Sequence, residues 1–302
     1  MMWSDRLGEL VRLPRGQQLA ALQELRSLRV ESAQEDWNST FGADSLYDAW
    51  SRLPIMEALY QQNRAVLTEH LGAREGWHIV EIGGGNGALW DGYLSTLGPG
   101  TLTLVDPNAD AHRTVRAKLP PEVDVQSVVA SVETADLPVA DVVVCSLTLH
   151  HVAGLDAVQR RSFGLDGAGK LEVLQGMVAA VRPRGGIVVL NEADVHNEVD
   201  LPPGDPVLVD RFIDAYVRRA ARSVAEAIDV AGADTQLRRA WEVILQSWCL
   251  DQVELAHAPR VSRDVYELDA ARWLELIRQS GAQHQTHRFT DQWNLFQQYV
   301  FG

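Results

Sequence analysis

Four glycines fall within five residues in VEIGGGNG (80–87), directly behind a short apolar run that carries Glu81 two positions before the first of them. Glycine accepts left-handed backbone and presents no Cβ. Gly83, Gly85 and Gly87 can therefore turn the chain sharply and let a ligand lie against bare main chain. The next apolar run, LTLVD (102–106), ends in Asp106, and an acid there can accept hydrogen bonds from a ribose diol. Further on, ADVVVCSLTLHHV (140–152) ends in His150 and His151. A neutral imidazole at a strand end can take a phenol or hydroxyl proton near neutral pH, or it can simply bond the loop backbone. Glu192, Asp194 and His196 follow GIVVLNE (186–192). They can orient a substrate; no tight ligand spacing joins them to the other histidines, so no metal is expected.

These residues need a scaffold that gathers strand ends. HIVEI (78–82), LTLVD, VQSVVA (125–130), DVVVCSL (141–147) and GIVVLNE are short β-branched runs, each separated from the next by a helix-length segment. Continuous apolar strands alternating with helices indicate a parallel sheet covered on both faces, and open sheets of that kind bind ligands at the carboxyl ends of their strands. Before the sheet, residues 1–75 read as helical: Leu19, Leu22, Leu25 and Leu28 form a stripe, and Pro54 opens a helix over 55–71. Between them, 35–50 reads as a loop with a short helix, carrying Trp37, Tyr47 and Trp50. After Glu192 the alternation stops, and two helices are expected near 206–230 and 235–256. An amphipathic helix over 268–281 and two last strands, QHQTHRF and NLFQQYVFG, then complete the chain.

The chain has 302 residues with a formal net charge of −14. That balance would repel a polyanion, and the arginine groups at 218–222 and 238–239 are interleaved with other residues at helical spacing, so nucleic acid is not an expected partner. No apolar run is long enough to span a bilayer, and the first ten residues contain Asp5 and Glu9 rather than a basic start and an apolar stretch. A cytoplasmic protein with no membrane partner is expected. Cys145 and Cys249 form no CxxC pair, which gives no support to a disulfide framework or zinc ribbon.

The pattern E-x-G-x-G-x-G resembles the first motif of the class I S-adenosylmethionine-dependent methyltransferases. The resemblance extends over 78–192: LVDPN (104–108) is similar to the ribose-binding strand end, ASVETADLP (130–138) to the adenine segment, and ADVVVCSLTLHHV and VRPRGGIVVLNE (181–192) to the second and third motifs. It implies S-adenosylmethionine as cofactor. Gly83, Gly85 and Gly87 would lie against its methionine and ribose, Glu81 near its amino group, Asp106 on the ribose hydroxyls and Pro107 beside the adenine. Glu133 would receive the adenine amino group, with glutamate standing where the family often has aspartate. It also implies in-line displacement at an already activated methyl, for which the protein chiefly aligns and desolvates.

The expected fold is α/β, a doubly wound, seven-stranded, mostly parallel sheet whose last strand is antiparallel. The Rossmann-like core comprises 76–192 and 266–302, with a helical N-terminal segment at 1–75 and a helical lid inserted at 193–265. The expected reaction is methylation of a small organic acceptor at oxygen or nitrogen, in secondary metabolism. His150 or His151 would act as base, and Glu192, His196, Trp37 and Tyr47 would line the acceptor site. Helical arms of this kind can also join a homodimer. Methylation of protein or RNA, carbon methylation coupled to cyclisation, and a cofactor-binding module without catalysis are the alternatives. The nine tryptophans fit either an aromatic wall near the sulfonium or ordinary packing of amphipathic helices.

Overall fold

A computed structural model describes residues 6, 9–10, 12–27, 45–72, 74–195, 205, 207, 218–245 and 266–302. Trp37, His196, Leu28 and Trp248 lie outside these residues, as do the side chains of Leu19, Leu22 and Leu25.

Seven strands form one sheet: β1 (Trp77–Ile82), β2 (Gly100–Val105), β3 (Val123–Val128), β4 (Val142–Ser146), β5 (Ile187–Ala193), β6 (Gln285–Phe289) and β7 (Phe296–Phe301). Their order is β3-β2-β1-β4-β5-β7-β6. The first five are parallel, and β7 runs antiparallel to both β5 and β6. Because β1, β2, β4 and β5 point the same way, Ile82, Val105, Ser146 and Ala193 end at one edge, with Ile82 paired to both Val105 and Cys145, and Ser146 to Asn191.

The helices are α1 (Arg15–Ser27), α2 (Leu46–Ser51), α3 (Pro54–Leu71), α4 (Ala109–Lys118), α5 (Ala168–Val181), α6 (Arg218–Val230), α7 (235–245) and α8 (Ala270–Gln279). Their starts follow local chemistry. Ser45, Asn108 and Asp269 each accept a backbone N–H from the first turn of α2, α4 and α8, and Pro54 opens α3.

Strand periodicity sorts the core into two layers. Val142, Val144 and Val189 face one side, with α2, α3, α6 and α7 packed there through Trp50, Leu59, Val224 and Trp241. Val143, Cys145, Val188 and Leu190 face the other, against α5 and α8 through Leu174, Met177 and Trp273. The same alternation carries past the apolar register: Ser146 and Asn191 continue the first face, and Glu192 the second.

The helix-length segment between β1 and β2 does not form an α-helix. The chain instead makes two 3-10 turns, Ala88–Trp90 and Leu94–Thr96. Gly87 and Gly92 are both left-handed (φ +75° and +66°), which interrupts a right-handed helix on either side. Arg64 of α3 then takes up carbonyls a helix would have used, donating from Nε to Leu89 O (2.9 Å) and from Nη2 to Ala88 O (2.9 Å).

Candidate active site

The glycine turn sits at the carboxyl edge, with Gly83, Gly85 and Gly87 all at positive φ. A Cβ on Gly83 would come within 2.1 Å of Thr148 Oγ1, and one on Gly85 within 2.5 Å of Tyr47 Oη. The bareness of these two glycines is therefore taken up by the protein's own side chains, one from the β4 turn and one from α2. Asn86 latches the turn to α2, its Nδ2 donating to Ser51 Oγ (2.9 Å) and Asp48 Oδ1 (3.2 Å).

Glu81 is 5% exposed, and its Oε2 is buried with no hydrogen-bond partner among the described residues. Burial pushes its carboxyl up to about 8; the charge of Asp106 adds to this, and the nearby Trp90 indole opposes it without reaching hydrogen-bond geometry. Asp106, at the end of β2, accepts a hydrogen bond on Oδ1 from Asn108 N (2.7 Å). Burial raises its pKa while Asn108 and His112 hold it down. Tyr47 shares this field. Burial, Glu81 and Asp106 lift its phenol to about 12, so it is neutral at physiological pH. Tyr47 is thus placed over the glycine turn, beside the two acids. Pro107 and Glu133 are exposed, and Glu133 Oε2 accepts from Ser131 Oγ (2.7 Å).

At the ends of β4 and β5, Glu192 is fully buried and turned inward. Its Oε1 accepts from Thr148 N (3.0 Å) and Leu149 N (2.6 Å), and its Oε2 meets His150 Nδ1 at 3.0 Å. Glu192 therefore holds the histidine turn and presents no open oxygen to a substrate. Burial disfavours a charged His150, whose side chain keeps 19% of its surface exposed. The charge and hydrogen bond of Glu192, with Glu267, outweigh burial and Lys170 and raise the imidazole pKa. His151 is exposed, its ring 4.2 Å from that of His150. Asp194 accepts from Ala270 N (3.1 Å) and so anchors α8. Among the described residues no group of three His, Cys, Asp or Glu side chains is placed to hold a metal ion.

Sequence reasoning passed over Lys170, Asn86 and Asn63. Lys170 is fully buried, donates from Nζ to Val152 O (2.9 Å) and lies over the Tyr266 ring; burial lowers it to about 8, against Glu192, Glu267 and Glu133. Both Lys170 and Asn63 were visible as polar residues at helical spacing within apolar faces, Asn63 between Leu59 and Leu67 and Lys170 ahead of Val173, Leu174 and Met177.

Residues 80–163, which hold the glycine turn, Asp106 and both histidines, match the methyltransferase domain family. Over those residues the chain resembles a methyltransferase domain, set in a sheet of order β3-β2-β1-β4-β5-β7-β6. Among solved structures, the chain resembles a possible exported protein of Bordetella parapertussis, 15% identical, covering 100% of this chain and 96% of that one with a TM-score of 0.50. A presumed O-methyltransferase of Nostoc punctiforme is 15% identical with a TM-score of 0.46; the match covers 85% of this chain and 59% of that one, so this chain spans under two thirds of that protein's length. The N-methyltransferase NodS of Bradyrhizobium japonicum, solved with S-adenosyl-L-homocysteine, is 13% identical over 86% of this chain and 92% of that one, with a TM-score of 0.45. Likeness at such identity speaks to the fold alone. No curated protein matches the sequence.

S-adenosylmethionine is the cofactor of this type of domain, and the residues present fit it. A buried carboxylate oxygen without a partner, on Glu81, suits a ligand ammonium. Asp106 has its second oxygen left for a ribose hydroxyl. Among the described residues no helix is long and apolar enough to cross a membrane.

Proposed function

We propose that the methyltransferase moves the methyl group of S-adenosylmethionine to an oxygen or nitrogen of a small organic acceptor, of the kind made in secondary metabolism. The observation that carries this reading is the roof over the strand ends. Asn86 ties the glycine turn to α2, and Trp241 of α7 donates from Nε1 to Ala49 O (2.7 Å), which ties α2 in turn to the inserted helices. A roofed edge suits an acceptor small enough to be shut away from water, and the charge of −14 is unfavourable for a polyanionic one.

When bound, the cofactor supplies a methyl carbon already activated on a sulfonium. Glu81 and Asp106 would hold its ammonium and ribose ends, Glu133 and Pro107 its adenine, and Tyr47 would close over it from α2. Glu192 fixes His150 through Nδ1, leaving Nε2 to take a proton from an acceptor hydroxyl or ammonium. His151 is the comparison position, exposed and outside that hydrogen bond.

The test is methyl transfer from S-adenosylmethionine labelled in the methyl group, offered in parallel to phenols, amines, a protein extract and transfer RNA. Label in a small molecule is expected; label confined to protein or RNA would overturn the reading. Within the active assay, His150→Ala should lower turnover while His151→Ala does not.

A further inference from the structure

A second polar network crosses the opposite face of the sheet from Glu192. It begins at the exposed Arg288 on the edge strand β6, whose Nε donates to Gln298 Oε1 (2.7 Å). Gln298 Nε2 donates to Asn63 Oδ1 (2.6 Å). Asn63 Nδ2 donates to both Asn191 Oδ1 (2.7 Å) and Ser146 Oγ (3.2 Å), and Ser146 Oγ in turn donates to Asn191 Oδ1 (2.9 Å). The three amides are 0–1% exposed; Ser146, at the carboxyl end of β4, is only half-buried.

The bonds of Gln298 and Asn63 take their direction from the outer end. A guanidinium is donor-only, so Arg288 must meet the oxygen of Gln298, which leaves the Gln298 NH₂ to face Asn63. Asn63 then faces Gln298 with its oxygen and the sheet with its NH₂. Asn191 is fixed independently, because its Nδ2 donates to Gln297 O (3.4 Å) and its Oδ1 is thereby the acceptor. Ser146 must spend its one hydrogen on Asn191 and one lone pair on Asn63. A hydroxyl has two lone pairs, so what remains at the open end is a single acceptor site.

The position of that site is set by its neighbours. Leu147 is left-handed at φ +51°, an unusual state for leucine that gathers at functional turns, and its N–H bonds Asn191 O (2.8 Å). Thr148 Oγ1 donates to Ser146 O (3.0 Å) and lies against Gly83. Ser146 is thus one turn from the glycine loop, on the face roofed by α3 and the inserted helices.

We infer that Ser146 is an acceptor-binding residue that takes a hydrogen bond from an O–H or N–H of the methyl acceptor, and that Arg288 is a positioning residue setting its polarity through Gln298 and Asn63. This deepens the methyl-transfer reading and rests on it. In the bound acceptor that hydrogen rests on Ser146 Oγ, and it passes to His150 Nε2 only as the methyl group is transferred, so the site recognises small molecules bearing a hydrogen-bond donor and discriminates against partners in which methylation has removed it. A hydrogen bond of this kind is worth about fivefold to tenfold in affinity.

The experiment measures binding of matched probes, phenol against anisole and indole against N-methylindole, by NMR titration with S-adenosylhomocysteine at saturation. The wild-type protein should prefer the donor-bearing member of each pair about fivefold to tenfold. Ser146→Ala should bring the ratio to about one while its affinity for S-adenosylhomocysteine is unchanged; the Asn63–Asn191 bond survives in that variant, which preserves the fold. Arg288→Met, which frees Gln298 to turn over, should lower the ratio part-way. A wild-type ratio near one, or a ratio unchanged in Ser146→Ala, overturns the inference and leaves the methyl-transfer reading standing. Failure of the wild-type protein to bind S-adenosylhomocysteine sinks both.

Discussion

Binding of S-adenosylhomocysteine should release a proton from Glu81. With its carboxyl held up to about 8, the free protein at pH 7 carries that proton in about nine molecules of ten. An ammonium placed within about 4–6 Å lowers a carboxyl by about 1–3 units, which moves Glu81 to between about 5 and 7. The release at pH 7 is then between about 0.4 and 0.9 proton per site, and it shrinks towards zero above about pH 9, where the carboxyl is already ionised. Calorimetric titrations in two buffers of different ionisation enthalpy read this number from the difference in apparent enthalpy. Glu81→Gln, isosteric with the protonated acid, should abolish it. The same shift has a consequence for stability, since the folded state keeps a proton that the unfolded chain has lost. This contribution is complete below about pH 4.5, falls by about 1.4 kcal/mol per pH unit as pH rises, and is gone above about pH 8, so Glu81→Gln should flatten that part of the melting profile. Proton release equal in wild type and Glu81→Gln would refute the placement of an ammonium at this carboxylate.

Asp106→Ala should weaken S-adenosylhomocysteine binding by about 1–3 kcal/mol in calorimetry, the cost of losing a buried polar pairing, and an unchanged affinity would count against the ribose assignment. Gly85→Ala meets both a left-handed φ of +52° and the Tyr47 hydroxyl, and should lower the melting temperature and cofactor affinity together. The control is Gly176→Ala on α5, where a new Cβ meets nothing within 4 Å; it should gain about 0.5–1 kcal/mol. Glu192→Gln removes the charge that outweighs burial at His150, so the imidazole midpoint followed by NMR should drop. The stability that the charged pair confers is present below about pH 6.5 and lost as pH rises through the folded midpoint, so the variant's deficit should be largest in acid. A midpoint that does not move would place Glu192 outside the electrostatics of His150.

The sequence by itself determined the sheet and the edge that carries the glycine turn. The β-branched runs became β1 to β5 and the two terminal runs β6 and β7, the antiparallel last strand was implied by the family resemblance, and the glycine turn with Asp106 was legible because left-handed backbone and strand-end acids are local signals. Local signals did not extend to the partners of those residues. Glu192 read as an open carboxylate, and only the pairing of β4 with β5 brought it under Thr148 and Leu149, 44 and 43 positions away, to hold His150. Tyr47, read as a substrate contact, was carried to Gly85 by the packing of α2. The polarity of Ser146 is set by Arg288, 142 residues further along the chain. In each case the deciding quantity is a hydrogen-bond partner or a charge supplied by a distant segment, and spacing along a chain carries no record of which distant segment folding will bring near.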